Sequence, residues 1–233
     1  MAGRLSLLGA GKQTVSAGTS AEWWSANVVP IDNCLAAYQA KGAADYAASK
    51  VNLVNPATYG LTDGSYYPTW NNTGWTFASN TSWCRYLVTT LTPTSSWTII
   101  ARYSNNTASA QSHIIGTKND DNKMFSMAAR SWLSSAHNHW WQATATANDD
   151  DNTASGVIAL AGIYGYHDGA LAVTLSDSQS VTYQYPFFIG TFNNKGTMLA
   201  DTGIESVVEA VAFYNATLTG TQIAALTTAM NAL

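Results

Sequence analysis

Two histidines one residue apart, His137-Asn138-His139, make the first chemically suggestive pattern in this sequence. On a strand, residues two apart point the same way, so both imidazoles share a face. Two nitrogens are too few to hold a metal. Three copies in a trimer would supply six, an octahedral set suited to iron or nickel. The other reading is a pair of histidines hydrogen-bonded on a polar face beside Trp140 and Trp141. A second pattern is Asn148-Asp149-Asp150-Asp151-Asn152, an acidic, oxygen-rich run. Calcium takes six to eight oxygen ligands, but the run lacks the Gly and Glu of an EF-hand loop. A solvated turn is the reading that fits it better, and Asp120 and Asp121 carry the same ambiguity.

Hydrolytic chemistry finds little support in the residues. Glycoside hydrolysis needs two carboxylates across a cleft, about 5–5.5 Å apart for retention or about 6.5–9.5 Å for inversion. The three glutamates, Glu22, Glu205 and Glu209, form no such pair on a strand. No Gly-x-Ser-x-Gly elbow sets up a nucleophile, and no Gly-rich loop of phosphate-binding form is present. Adjacent aromatic pairs offer a different use. Trp140-Trp141, Tyr66-Tyr67 and Trp23-Trp24 can each bury one ring and expose the other if they lie on strands. An exposed ring can stack on a sugar or on a neighbouring subunit, whereas a buried one fills the core.

The elements that must position these groups read as β-strands. Ser96–Tyr103 alternates, with Trp97, Ile99, Ala101 and Tyr103 on one face and Thr98, Ile100 and Arg102 on the other. Trp75-Thr76-Phe77 alternates as well. Short strands are expected at 113–116, 124–127, 156–163, 187–190 and 207–214. A polar hairpin loop at 119–122 and turn signals at Asp63-Gly64 and Asp168-Gly169 separate them. Residues 42–50 are Ala-rich and suit one or two helical turns. One longer helix closes the chain. Thr219 is its N-cap, Gln222 completes a capping box, and Leu218 with Ile223 forms a hydrophobic staple. Ile223, Leu226 and Met230 make its apolar stripe. Many short strands, frequent turns and one terminal helix imply an all-β sandwich of two antiparallel sheets.

Composition narrows the partners. Charged residues are 10% of the 233, against about 25% in ordinary domains. A surface so poor in charge suits packing into assemblies. The net charge is −4 and the ten Lys and Arg are scattered, which argues against nucleic acid. No apolar run approaches the ~20 residues that span a bilayer, so membrane insertion is not expected. Cys34 and Cys84 read as buried free thiols, with a bridge between them left open. The opening residues lack a signal-peptide pattern, which points to synthesis in a cytosol. The sequons at Asn71, Asn80, Asn105 and Asn215 are then chance products of composition. Residues 1–30 have no sustained period and read as an extended arm, with residues 31–233 as the folded domain. Such an arm either orders against a partner or wraps its own domain.

The order of motifs resembles a known family. Val208–Thr219 with Gln222, Ile223 and Leu226 resembles the closing signature of laminin-G-like, concanavalin-type jelly rolls. Tyr166-His167-Asp168-Gly169, Phe188-Ile189-Gly190 and Trp97-Thr98-Ile99 resemble that family's hairpin and strand motifs, in the family's order. The preamble Ala36-Ala37-Tyr38-Gln39, Ala43-Ala44, Ser49–Leu53 and Thr69-Trp70-Asn71, and the opening Leu5–Gly11, are similar to such proteins in tailed bacteriophages. The resemblance implies a two-sheet jelly roll with a C-terminal helix, acting as a virion structural protein: a tail-fibre, adhesin or capsid-decoration subunit. It implies assembly with other head or tail proteins, a homo-oligomer such as a trimer, and a location in the virion after synthesis in the bacterial host cytoplasm. The arm, with Leu5, Leu7, Leu8, Trp23 and Trp24, would make the attachment. Trp140, Trp141, Tyr66 and Tyr67 are the expected contacts for a host glycan. No cofactor is required, although the family's rim calcium directs attention to Asp149, Asp150 and Asp151. No enzyme activity is expected. A lectin-like module outside a virion is the alternative, and a glycoside hydrolase lacks its carboxylate pair.

Overall fold

A computed structural model describes residues 22–78, 83–105, 113–131, 137–150, 153–177, 179–199 and 205–233. In chain order the strands are β1 (Cys34–Gln39), β2 (Thr62–Asp63), β3 (Thr69–Asn71), β4 (Gly74–Ala78), β5 (Leu87–Val88), β6 (Thr98–Ser104), β7 (His113–Lys118), β8 (Met124–Ser131), β9 (His137–Ala143), β10 (Ala145–Asn148), β11 (Gly156–Ala161), β12 (Tyr164–His167), β13 (Ala170–Thr174), β14 (Phe188–Ile189), β15 (Phe192–Asn194), β16 (Thr197–Met198) and β17 (Glu205–Tyr214). The helices are α1 (Tyr46–Ser49) and α2 (Gly220–Asn231). No helix among the described residues is long and apolar enough to cross a membrane.

Two sheets face one another. The first runs β13-β12-β11-β6-β17-β4-β3, with β1 also paired to β17. The second runs β10-β9-β8-β7-β14-β5-β2, with β15 and β16 attached at β7. Between them lies one core built from alternate residues. Tyr38, Trp75, Phe77, Ile99, Tyr103, Leu160 and Phe213 come from the first sheet, and Leu87, Phe125, Met127, Trp140 and Ile189 from the second. This is the two-sheet sandwich expected from the alternation, and the jelly roll that the resemblance implies.

The first sheet is buried on its other face too. Ala37, Ala159, Ala161, Ala210 and Ala212 point outward there, and α2 covers them with Ile223, Leu226 and Met230. Short side chains let the helix approach the sheet closely, which a row of large residues would prevent. The α2 N-terminus forms as its residues dictate: Thr219 Oγ1 accepts from Gln222 N (3.3 Å), and Gln222 Oε1 accepts from Thr219 N (2.9 Å). The turn of the β12–β13 hairpin puts Asp168 and Gly169 at φ 45° and 81°, the left-handed conformation that an Asp-Gly pair favours.

The remaining cover is residues 22–30. Trp23 is 2% exposed and packs with Val29 in the same outer layer. Trp24 lies edge-on to it at 5.9 Å, and the Trp24 carbonyl accepts from Tyr214 Oη at 2.7 Å. The expectation that both tryptophans serve an attachment arm is therefore corrected. Their rings have enough apolar area to bury locally, and they close their own domain. Leu5, Leu7 and Leu8 lie outside the described residues. Cys34 and Cys84 are buried, and desolvation pushes the Cys34 thiol up to about 12.

Polar bonds fasten the helix to the sheet. A bulge between Val208 and Ala210 turns Glu209 toward Arg102. Arg102 Nε lies 2.7 Å from Glu209 Oε2, and Lys41 Nζ lies 3.0 Å from the same oxygen. Arg102 Nη1 also donates to Met230 O (2.5 Å) and Asn231 Oδ1 (3.1 Å), placing a cation at the negative end of α2. Burial alone would raise the Glu209 carboxyl. Hydrogen bonds from Ser104 and Lys41 and the charges of Arg102 and Lys41 outweigh it and hold the group below the usual carboxylate range.

Replacing Glu209 with Gln leaves Arg102 partly buried without its counter-charge. The expected loss in urea unfolding is about 2–3 kcal/mol. A loss under about 0.5 kcal/mol, the range of ordinary surface changes, would contradict this role for the bulge.

Candidate functional site

Residues 64–68 connect β2, the edge of the second sheet, to β3, the edge of the first. Their path is set by Tyr86. Gly64 N donates to Tyr86 O (3.1 Å), and Tyr86 N donates to Tyr66 O (2.9 Å). Ser65 N donates to Tyr86 Oη at 3.3 Å. The Tyr86 ring is buried and stacks on Phe188 at 4.7 Å and 27°. A Cβ at position 64 would lie 2.4 Å from that ring, so the crossing needs glycine there.

This anchoring leaves the neighbouring aromatic rings outside. Tyr66 is 47% exposed and Tyr67 is 62% exposed. Tyr66 meets Trp83 at 5.4 Å between centroids, tilted by 32°. Ser65, Tyr66, Tyr67, Thr69, Trp83 and Arg85 line an open cleft of about 510 Å³. Ligand clefts commonly fall between about 300 and 1,000 Å³. The combination is three aromatic rings, two aliphatic hydroxyls and one guanidinium. It can stack on the apolar face of a ring and hydrogen-bond to polar groups around it. It holds no acid–base pair. Two of the six residues, Tyr66 and Tyr67, were expected from sequence. Trp83 and Arg85 were not, because only the two-residue pairing of β2 with β5 brings 83–86 beside 64–66.

The histidines sit elsewhere, on the outer face of the second sheet. His139 stacks on Trp141 at 5.2 Å and 22°, and His113 lies 4.9 Å from the same indole. His137 Nδ1 is 3.7 Å from Asp150 Oδ1. Among the described residues, no three His, Cys, Asp or Glu side chains come together as a metal site. Asp149 is turned back onto β9, accepting from Asn138 N (3.2 Å) and Asn138 Nδ2 (3.4 Å). Asp150 is exposed, and Asp151 lies outside the described residues.

His113 itself is enclosed, packed also against Phe192 at 4.5 Å. Ser126 Oγ donates to Ile115 O (2.9 Å), so it accepts the Nδ1 proton of His113 (2.8 Å). The imidazole thus donates to the serine, the reverse of a base activating a nucleophile. Desolvation, helped by the nearby His139, lowers the His113 pKa to about 3. Burial, helped by His137, lowers that of His139 as well.

Trp140 corrects an expected glycan contact. It is fully buried, and its Nε1 donates to Ala159 O of the opposite sheet at 2.9 Å. The alternation of β9 puts Asn138, Trp140 and Gln142 inward and His137, His139 and Trp141 outward, so only Trp141 of that pair has an outer face.

No family model matches the sequence, and no curated protein matches it. Solved structures do match. A Trypanosoma rangeli sialidase mutant displaying trans-sialidase activity aligns with a TM-score of 0.60 at 13% identity, over 88% of this chain and 34% of that one. A structure of botulinum neurotoxin type C, which enters cells dependent upon interaction with two ganglioside molecules, gives 0.60 at 9% identity, over 86% and 52%. The binding domain of botulinum neurotoxin DC in complex with rat synaptotagmin II gives 0.58 at 9% identity, over 86% and 52%. This chain therefore spans about a third to a half of their lengths. At such identities the likeness establishes the fold, a concanavalin-like jelly-roll sandwich.

The enclosed His113 has a measurable consequence. Its folded pKa lies below its unfolded value of 6.5, so the unfolded chain binds more protons between the two. Stability is then full above pH 6.5 and falls as the pH drops below it, by up to about 1.4 kcal/mol per unit for this group. Urea unfolding of the wild type between pH 7 and pH 5 is expected to show this slope, and His113→Asn to make it shallower, with His139 keeping a remainder. A wild type equally stable at both pH values would contradict the enclosure.

Proposed function

We propose that this chain is a binding module that recognises glycans through the cleft of Tyr66, Tyr67, Trp83 and Arg85, without catalysing their cleavage. The observation that carries the reading is the exposure of several aromatic rings around one cleft while their backbone is pinned by Tyr86. Rigid, exposed rings bind sugars with little loss of conformational entropy. The carboxylates support binding over hydrolysis: Glu209 is engaged by Arg102 and Lys41, and Asp63 by Lys50. The ganglioside-dependent toxin and the sialidase share the sandwich, which is consistent with sugar recognition on this fold but does not assign it.

The setting we propose is the surface of a bacteriophage virion, as a tail-fibre, adhesin or capsid-decoration subunit acting as an oligomer. That part rests on the sequence resemblance alone. Residues 1–21 would attach the domain, because Trp23 and Val29 are committed to its own outer layer.

Two experiments test these readings. On a glycan array, Tyr66→Ala and Trp83→Ala are expected to weaken the wild-type signals about tenfold or more, with unchanged circular dichroism. An array silent at millimolar sugar, or variants that bind like the wild type, would contradict glycan recognition at this cleft. Separately, a chain lacking residues 1–21 is expected to fail to join phage particles, and normal incorporation would contradict the attachment role.

A further inference from the structure

We propose that the cleft selects a sugar bearing a carboxylate, and that Arg85 reads its charge; this rests on the glycan reading of the same cleft. Five of the six lining residues are uncharged, and Arg85 is the exception. A half-buried guanidinium is ordinarily paired, but Arg85 has no ion pair among the described residues. Asp63 lies opposite Leu87 on the paired strands, two residues from Arg85. Its charge is already engaged. Lys50 Nζ lies 3.0 Å from both carboxylate oxygens, and Tyr46 Oη donates to one of them at 2.5 Å. Lys50 is itself held over the Tyr46 ring at 4.2 Å.

The cleft thus keeps one cation whose neighbouring anion is occupied by another partner. An arginine presents a planar fork of donors that matches a carboxylate with two parallel hydrogen bonds. Rings of Tyr66 and Trp83 would take the apolar face of the sugar, and Ser65 and Thr69 lie close enough to meet its hydroxyls. A neutral sugar can use the rings and hydroxyls but leaves the guanidinium without an anion. The acidic sugar alone uses all three kinds of group.

The test compares methyl β-glucuronide with methyl β-glucoside, which differ only by a carboxylate in place of a hydroxymethyl group. Titration calorimetry on the full chain is expected to show the glucuronide binding about tenfold more tightly, the size of one charge-assisted hydrogen-bonded contact. Arg85→Gln is expected to bring the two within about twofold, and Arg85→Lys to keep part of the preference. Raising the salt to about 1 M must shrink the wild-type preference, a readout that needs no variant. Equal wild-type affinities, or a preference that survives Arg85→Gln, would overturn the selection by charge and leave glycan binding standing. Binding of neither sugar at about 20 mM, weaker than any useful affinity on the millimolar scale, would overturn both.

Discussion

A helix can lie flat on a sheet only where the side chains beneath it are short, and five alanines on the outer face of the first sheet meet that condition. Ala37, Ala159, Ala161, Ala210 and Ala212 leave room for Ile223, Leu226 and Met230 of α2, with Trp23 closing the remaining space. The opposite face of the same strands carries Ile99, Tyr103, Leu160 and Phe213 into the layer between the sheets. Strands β6, β11 and β17 are thereby buried on both sides. Arg102 and Glu209 are tolerated in this setting because each has its charge matched, and Arg102 also donates to the Met230 carbonyl near the end of α2. Once that sheet is enclosed, a ligand can be met only at its edges or on the second sheet.

The second sheet's outer face is largely closed to ligands by its own packing. His113, Trp141, His139 and Phe192 fill one another's space, and the proton of His113 is committed to Ser126. The edge where β2 gives way to β3 is different. There the chain must cross between layers, and a crossing segment cannot use ladder hydrogen bonds along its whole length. Tyr86 supplies the missing bonds from its backbone and hydroxyl, and its ring gains stability by stacking on Phe188. Tyr66 and Tyr67 are left outside because the backbone that carries them is fixed from below. Exposure and rigidity, which usually oppose one another in loops, come from the same residue.

Long periodic segments were legible in the sequence. The alternation of β6 grouped Trp97, Ile99, Ala101 and Tyr103 on one face, which is the face turned to the inner core, and the Thr219–Gln222 capping box placed the start of α2. Asp168-Gly169 gave its hairpin for a local reason that no tertiary contact overrides. The outer cover of the first sheet was harder to read, because alanine fits a solvent face and a tightly covered one equally. The direction of Trp140 was hidden for another reason: a one-residue change of register exchanges the faces of a strand, and sequence alone does not set the register of β9. Trp83 and Arg85 escaped notice because β2 and β5 are two residues each, too short for a period.

The most direct measurement is an NMR titration of the isotopically labelled chain with methyl β-glucuronide. If the edge cleft is the place where this sandwich meets its ligand, amide shifts will move at residues 64–67, 69 and 83–86 and remain still along β9. Shifts centred on His137, His139 and Trp141, or no shifts at saturating sugar, would contradict that assignment.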